Sequence, residues 1–494
     1  MKWCFLFHRG GKFLDSFDTT HKRKMISWPV LALMDFVTVI GFDDIIYNFK
    51  NQGLATISEW IIMLALYVVP YEMMVGQLGS TFSDTTGGLT SWIRHTSGDK
   101  MGYFMAWAGW VCALPYLVDV ANSTVVSFGW LFAGNNSYED KMNNWTFALL
   151  TAVVFIIFIF FQHRFANSLQ ILSVIGGGAM FIITVLYIIM TFAYLGKGGH
   201  IETQPFNWRS IFPTFDTKFF TSLGLFIFAM DGAEFVAPYV TEMKNGARDF
   251  PKAMIMLAVM TGFLTVFGSF ALGVFFNAHH LPDDLKMNGS YYAFEAMGKD
   301  FGLGKFFLYL FIVTQALYMI AQLAMLVDGM SREFLSDTAK KYLPKGLTKK
   351  DKNGLPIHGY WLTALLCSFI MFSSATLPNI NSIFNQLLNL NGIIDPFTTS
   401  FIFWAFIKIR EDEKKYHAEY VYIKNRRMSL IMGWWCFLLT LVAAFGSIFQ
   451  VDAPTGSTEY YQTIFLNVFE SFVLLGLGLI LPLIARWQRN HENA

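Results

Sequence analysis

Two acidic residues stand inside an apolar stretch near the N-terminus, where a membrane-spanning helix ordinarily has none. Asp43 and Asp44 follow Gly41 and Phe42 in the sequence VIGFDDII. A carboxylate at bilayer depth is costly, so it usually faces a bundle interior or a watery cavity. Glycine weakens a helix and aspartate is a good N-cap, so we expect one half-helix to end near Gly41 and another to begin near Asp44. Such a pair can bind a proton or a cationic ligand; the simpler alternative is that both acids only cap the second half-helix.

A second stretch, FAMDGAEF, repeats this pattern with Asp231 and Glu234 on either side of Gly232. Residues three apart share a helix face, but a glycine between them favours an interruption. Paired interrupted helices are the best sequence indication of a substrate site in secondary transporters. A structural hydrogen bond across the break is the alternative for the two acids. The candidate substrate site comprises Gly41, Phe42, Asp43, Asp44, Phe228, Asp231, Gly232 and Glu234.

Further acids also stand in apolar surroundings. No lysine or arginine lies in the central part of any span to pair with them. Asp119 is the most informative of them, and together with Asp231 and Glu234 it forms a candidate proton or cation site. Burial of unpaired carboxylates is costly, so the missing positive charge must come from protons, metal ions or the substrate. The ten histidines show no metal-ligand spacing, so we assign no metal site and no cofactor. The remaining acids of this kind are Asp35, Glu72, Asp328, Asp395 and Glu470.

The composition is that of a polytopic membrane protein. Of the 494 residues, 54% are hydrophobic and only 14% are charged, whereas soluble domains are about 25% charged. The net charge of +1 gives no reason to expect a nucleic-acid partner. The four cysteines do not indicate a disulfide framework. The expected surroundings are therefore a lipid bilayer.

Twelve segments are long and apolar enough to span a bilayer, which takes about 20 residues. An even number of spans places both termini on one side, and most of the 36 Lys and Arg lie on that side. The positive-inside rule therefore predicts that both termini are cytoplasmic. The segments lie near 26–49, 54–78, 101–133, 145–163, 168–194, 218–240, 252–277, 303–332, 357–377, 380–409, 429–450 and 461–486.

The interrupted helices are the first and the sixth, which suggests two five-helix halves of inverted topology and two extra helices. The fold expected is thus an all-α bundle of about 12 spans. Its parts would be a cytoplasmic segment 1–25, a ten-helix transport core 26–409, a cytoplasmic loop 410–428, helices 11 and 12 within 429–486, and a cytoplasmic C-terminus 487–494.

Two other spans carry helix-breaking residues. Pro115 predicts a kink in the third span, because proline cannot supply a backbone N–H within a helix. Asn391-Gly392 and Asp395-Pro396 predict a break in the tenth span. That break would be either a kink with a satisfied polar group or the hinge of a gate.

Three stretches of the chain resemble the amino acid–polyamine–organocation permease superfamily, and the resemblance extends over essentially the full length. FAMDGAE at 228–234 and VTEMKNGARDFPK at 240–252 are similar to the family's sixth helix and the loop after it. GQLG at 76–79 and GGLTSW at 87–92 are similar to the end of its second helix and the next loop. LP at 343–344 with GLP at 354–356 matches the loop after its eighth helix. The Gly-x-Glu of the sixth helix and the helix spacing resemble most the bacterial glutamate/GABA-antiporter-like branch.

The resemblance implies an inverted-repeat core with the substrate between the broken first and sixth helices. In the family, the first break is rich in glycine and serine and its N–H groups hold a substrate carboxylate, while carbonyls of the sixth break hold the amine. This chain keeps the glycine of each break but adds Asp43 and Asp44 to the first and Asp231 to the sixth. A negative charge beside a carboxylate site is unfavourable. Cationic or decarboxylated substrates are therefore expected.

We interpret the protein as a cell-membrane transporter and not an enzyme. The expected activity is exchange of a basic amino acid (ornithine, lysine or histidine) for its decarboxylation product (putrescine, cadaverine or histamine). The alternative is a proton-coupled permease for neutral amino acids, in which the acids serve as proton sites. An intramembrane aspartyl protease would need a glycine-rich motif that is not found, and no pore-loop repeat indicates a channel. Its partners would be amino acid and amine substrates and the lipid bilayer, and a homo-oligomer is compatible with the sequence.

Overall fold

The computed structural model describes residues 25–349, 356–451 and 453–492, and these ranges form helices and loops with a single isolated backbone bridge between Ile26 and Met243. Eleven helices in these ranges are long and apolar enough to cross a membrane. One of them, Phe42–Thr81, joins the end of the first expected span to the second, and the shorter helix Trp28–Val39 precedes it. The expected all-α polytopic membrane fold is therefore confirmed. Most of the expected segment 1–25 lies outside the described residues.

We number the spans as in the sequence, with the two halves of spans 1 and 6 written a and b. Span 2 contains a π-helical turn at Leu64–Val68, and short helices at Gly88–Ser97, Trp208–Ile211 and Leu285–Asp300 lie between spans. The bounds are 1a Trp28–Val39, 1b Phe42–Gln52, 2 Thr56–Met63 with Val69–Thr81, 3 Asp99–Cys112 with Leu114–Ala133, 4 Asn144–Asn167, 5 Leu169–Gly196, 6a Thr217–Phe228, 6b Ala233–Glu242, 7 Gly246–Phe275, 8 Phe306–Ser336, 9 Ile357–Ser374, 10 Ile380–Glu411, 11 Arg426–Ser447, and 12 Thr458–Leu477 with Ile480–Glu492.

Span 1 is interrupted where the sequence predicts it. Ile40 and Gly41 are extended, and the Gly41 N–H donates to Asp44 Oδ2 at 2.7 Å at the start of span 1b. This single bond, from the N-cap backbone to the side chain three residues later, satisfies a backbone donor that a helix start would otherwise leave free. A larger residue at position 41 would bring a Cβ to 3.1 Å from the ring of Tyr318.

Span 6 is interrupted at the second predicted position. Span 6a ends at Phe228, and Gly232 has φ of +119°, which is a conformation that side chains with a Cβ rarely adopt. Span 6b is a 3₁₀ helix that contains Pro238. The sequence pattern predicted an α-helix there, and the tighter winding follows from a proline that cannot donate to the α-helical ladder.

Three other expectations have different outcomes. The helix of span 3 stops at Cys112 and restarts at Leu114, so it is interrupted next to Pro115, where the kink is predicted. Span 10 is one continuous helix from Ile380 to Glu411, so the predicted break is wrong. Its proline removes only one backbone hydrogen-bond donor, and packing against the neighbouring spans holds the helix together. Span 12 is divided at Gly478, and its second half reaches Glu492, beyond the expected end at 486.

The interior of the bundle is built around the two interrupted spans. Spans 3 and 6 are almost entirely buried, whereas span 12 exposes most of its apolar surface. Helix Leu285–Asp300 packs on span 1b, and span 8 packs against spans 1a, 3, 5 and 6b. The breaks therefore lie at the centre of the protein, and the exposed phenylalanines of spans 4, 11 and 12 face outward.

Candidate functional site

A small cavity lies at the break of span 1, and three carboxylates line it. We call Asp43, Asp44 and Asp119 the span 1 acid cluster. The free volume of about 10 Å³ holds about one water molecule, so this conformation is closed around the site. The other lining residues are Gly41, Tyr47, Tyr116, Val120, Ser123, Tyr318, Met319 and Gln322.

The three acids of this cluster differ in their hydrogen bonds. Asp44 caps span 1b, so the structural alternative holds for one of its oxygens. Asp43 accepts from Gln315 Nε2 at 2.6 Å and from the hydroxyl of Ser290, which connects span 1b to span 8 and to helix Leu285–Asp300. Asp119 is 3% exposed, and its Oδ1 has no partner among the described residues. Asp119 therefore offers a free acceptor next to the cavity.

Two tyrosines satisfy carbonyls that the end of span 1a leaves free. Tyr318 donates to the carbonyl of Val37 at 3.2 Å, and Tyr116 donates to that of Thr38 at 3.3 Å. Gln322 donates to the Tyr116 hydroxyl at 2.6 Å. These residues of spans 3 and 8 were not predicted, because nothing in their spacing separates them from the other tyrosines of the chain.

A tyrosine of span 2 holds the break of span 6. The Tyr71 hydroxyl accepts from the N–H groups of Gly232 at 3.1 Å and Ala233 at 3.0 Å, and it donates to Glu234 Oε2 at 2.5 Å. One turn earlier, Tyr67 donates to Asp231, and the two rings stack with centroids 5.7 Å apart. Glu234 and Asp231 thus each accept a structural hydrogen bond, but its donor lies in span 2 and not on the other side of the break.

Five acids surround this second break, four of them buried and Asp395 partly buried, and we call Asp35, Glu72, Asp231, Glu234 and Asp395 the span 6 acid cluster. Asp395 of span 10 lies close enough to Asp231 for the two carboxyl groups to interact. Two carboxyl groups can share a hydrogen bond only if one of them carries a proton. The charges of Asp35, Glu72 and Glu234 are close enough to interact. The described residues place no lysine or arginine against this cluster.

The predicted residues thus fall into two neighbouring groups. The Thr38 hydroxyl contacts the carbonyl of Gly232 at 3.5 Å, and the rings of Tyr116 and Phe228 meet edge to face with centroids 5.0 Å apart. Phe42 lies instead in an aromatic cluster, where its ring centroid is 5.1 Å from that of Tyr187, and it does not line the cavity.

A network of charges closes one end of the bundle. Asp328 accepts from Arg332 Nε at 2.7 Å, from Tyr239 at 2.6 Å and from Tyr360 at 2.5 Å. Arg332 also pairs with Glu242 at 3.0 Å. Span 8 is thereby fixed to spans 6b and 9, and Asp328 is a paired charge rather than a free acid.

A larger cavity of about 380 Å³ lies apart from both clusters, between helix Leu285–Asp300 and the end of span 7. Burial raises the pKa of Asp300 there, and the charge of Glu202 raises it further, whereas His200 lowers it. Glu295 on the same wall pairs with Lys299 at 3.3 Å. This cavity does not contain any of the predicted site residues.

Tyr71→Phe tests the assignment of the span 6 cap. Loss of the hydroxyl leaves two buried N–H groups without their acceptor and Glu234 without its donor. We expect the free energy of unfolding to fall by about 1–2 kcal/mol. Thermal unfolding in detergent measures the change, with Tyr461→Phe at an exposed position of span 12 as the control. Equal unfolding temperatures for the two variants would show that the hydroxyl does not hold the break.

Comparison with known proteins adds independent evidence. The profile of the family described as amino acid permease matches residues 26–469. The chain is 36% identical over 476 residues to the aspartate/glutamate permease AcaP of Lactococcus lactis subsp. cremoris, covering 95% of this chain and 97% of that protein. It is 22% identical over 388 residues to the probable agmatine/putrescine antiporter AguD of Lactococcus lactis subsp. lactis, covering 77% and 78% of the two chains.

A glutamate/gamma-aminobutyrate antiporter of Lactococcus lactis subsp. lactis is 23% identical over 302 residues, which cover 59% of this chain and 57% of that protein. Among solved structures, a manganese transporter of Eremococcus coleocola superposes with a TM-score of 0.59 at 12% identity, covering 93% of each chain. At this identity the likeness shows the fold alone. With the two interrupted spans and the full-length match, the chain belongs to the amino acid permease family of the amino acid–polyamine–organocation superfamily.

Proposed function

We propose that this permease binds the ammonium group of its substrate at the span 1 acid cluster. One observation carries the proposal: the described residues that line the cavity include three carboxylates and neither lysine nor arginine. An ammonium group can supply the missing positive charge and donate a hydrogen bond to the free oxygen of Asp119. The cavity must widen to admit a substrate, because its present volume holds only about one water molecule.

The substrates that best suit this charge are basic amino acids and their decarboxylation amines. Ornithine, lysine and histidine would exchange for putrescine, cadaverine and histamine. The similarity to a probable agmatine/putrescine antiporter supports this class. A cationic side chain adds a second positive charge to the α-ammonium group, and each hydrogen-bonded ion pair contributes about 1.5–3 kcal/mol.

A second candidate is proton-coupled uptake of an acidic amino acid. It is favoured by the 36% identity to an aspartate/glutamate permease. An anionic substrate could enter a site lined by carboxylates only if those groups carried protons, and the span 6 acid cluster would then supply the coupling site. Proton-coupled uptake of neutral amino acids is the third candidate, and alanine represents this class in the transport test.

We further propose that the protein lies in the cell membrane with both termini in the cytoplasm. The distribution of Lys and Arg between loops supports this orientation. The Asp328–Arg332 network would then close the cytoplasmic end of the bundle, since it lies beside the start of span 1a, where the Ile26 N–H donates to the carbonyl of Glu242 at 2.9 Å.

Counterflow into proteoliposomes tests the proposal. Vesicles are loaded with lysine, ornithine, histidine, putrescine, aspartate, glutamate or alanine, and uptake of each labelled compound is measured with and without a proton gradient. Exchange requires internal substrate, whereas symport requires the gradient. Saturable uptake of lysine, ornithine or putrescine that depends on internal substrate is the expected result. Gradient-driven uptake confined to aspartate and glutamate would establish the second candidate.

A further inference from the structure

Two acids of the span 6 acid cluster lack a tyrosine donor, and the Thr38 hydroxyl, which lies beside one of them, donates to the backbone carbonyl of Asp35 at 2.8 Å. Asp35 in span 1a and Glu72 in span 2 are each 0% exposed, and all of their carboxylate oxygens lack a hydrogen bond to described residues. Asp231 and Glu234 differ from them, because Tyr67 and Tyr71 donate to these two. The substrate site proposed above does not require Asp35 or Glu72, since neither residue lines its cavity.

The surroundings of this pair are acidic on every side. Glu333 of span 8 is 2% exposed, has both oxygens unpartnered, and interacts with the charge of Glu234. Span 7 packs against spans 1a and 2. Its charged residues all lie in its first two turns, and none follows Lys252. The titratable groups that interact with the pair are Tyr71, Asp231 and Glu234. Around these lie three more, which interact with Asp231 or Glu234, namely Tyr67, Glu333 and Asp395.

We propose that Asp35 and Glu72 form a proton-binding site that is separate from the substrate site. An ionised carboxylate buried without a partner costs several kcal/mol, and two of them close together repel one another as well. A bound proton removes both penalties. A metal ion fits less well, because the described His, Cys, Asp and Glu side chains contain no group of three arranged to hold one.

The site lies between several spans, so binding of a proton there can change how closely these spans pack. Asp35, Glu72, Glu234 and Glu333 belong to four different elements, namely spans 1a, 2, 6b and 8. Protons on these acids allow the four elements to pack closely, whereas loss of the protons places like charges between them. Release of a proton therefore favours separation of span 1a from spans 2 and 6b, which is a movement that would open the closed cavity. This last step rests on the proposed transport function, but the proton site itself does not.

The proton site is tested first without any substrate. Purified full-length protein is examined by infrared spectroscopy for the C=O absorption of protonated carboxyl groups at about pH 7, a pH at which a free carboxyl group with a pKa of about 4 is ionised. We expect this band in the wild type and a weaker band in Asp35→Asn and in Glu72→Gln. Glu470→Gln is the matched control, since Glu470 lies in span 12 and accepts from Gln386 at 2.8 Å, outside both clusters. An unchanged band in both cluster variants overturns the proposal.

Thermal unfolding gives a second measurement that remains informative if one variant folds poorly. The unfolding temperature of the wild type should fall as the pH rises from about 5 to about 8, because in this range the unfolded chain releases the protons of these acids while the folded protein retains them. The slope should be smaller in either amide variant. Equal slopes in wild type, Asp35→Asn and Glu72→Gln would contradict a shared proton site at this position.

Coupling to transport is tested in proteoliposomes that contain a pH-sensitive dye, with lysine and aspartate as the probes. The proton signal that accompanies uptake is expected to be smaller in Glu72→Gln than in the wild type, because the amide cannot bind and release a proton. It should be unchanged in Glu470→Gln. A full proton signal in both cluster variants would refute the coupling. Absence of counterflow by the wild type with every compound would refute the proposed function, and the infrared result would still decide the proton site.

Discussion

Gly232→Val is expected to abolish counterflow while the protein remains folded and in the membrane. Gly232 has φ of +119°, and a Cβ built on it would lie 3.2 Å from the carbonyl oxygen of Thr38. A β-branched residue at positive φ is a strong outlier. The valine would therefore force span 6b away from span 1a, at the point where the two interrupted spans touch and where the substrate is proposed to bind.

The matched control for this variant is Gly178→Val in span 5. Gly178 lies within a helix, and a Cβ built there meets nothing within 4 Å. Initial rates of counterflow are measured in proteoliposomes, and size-exclusion chromatography reports folding. Gly178→Val should transport at a rate close to that of the wild type. Counterflow by Gly232→Val at the wild-type rate would show that the conformation at Gly232 is not needed for transport.

Asp44→Asn should weaken the binding of lysine and putrescine by about 10- to 100-fold, because a hydrogen-bonded ion pair contributes about 1.5–3 kcal/mol. This substitution removes the negative charge of residue 44 and keeps its hydrogen bond to the start of span 1b. Asparagine keeps a side-chain carbonyl oxygen, so it can still accept the N–H of Gly41, which now donates at 2.7 Å. The thermal stability should therefore change little while the affinity for cations falls.

Asp43→Asn is the companion variant. Gln315 and Ser290 both donate to the Asp43 carboxylate, so an amide here loses one acceptor as well as the charge. We expect a similar loss of affinity together with lower stability. Isothermal titration with lysine, putrescine and alanine provides the measurement, and Glu470→Gln is the control. Unchanged affinity for lysine and putrescine in both variants would leave capping as the whole role of Asp44.

The two interruptions could be predicted because they are encoded locally. Gly41 and Gly232 are glycines beside acids in otherwise apolar stretches, and their neighbours in the chain are enough to disfavour a continuous helix. The break expected at Asp395-Pro396 did not form, although the local signal is comparable. Packing against other spans determines whether the helix continues through Asp395-Pro396, and these contacts cannot be predicted from a single sequence.

The partners of the buried acids could not be predicted. Tyr71 lies 163 residues before Glu234 in the chain, and only the fold brings them to 2.5 Å. Glu333 stands near the end of a long apolar span, where an acid is usually solvated, and the structure buries it instead. Helix Leu285–Asp300 was not predicted as an element, because its mixed polar and apolar sequence is typical of a loop between spans.

Counterflow of labelled lysine and labelled aspartate, measured side by side for the wild type and Asp44→Asn, tests most directly whether the span 1 acid cluster binds a cationic substrate. We predict that vesicles loaded with lysine accumulate labelled lysine in the wild type, and that Asp44→Asn raises the concentration for half-maximal uptake about 10- to 100-fold. Accumulation of aspartate alone, with the same concentration dependence in the wild type and in Asp44→Asn, would contradict this account.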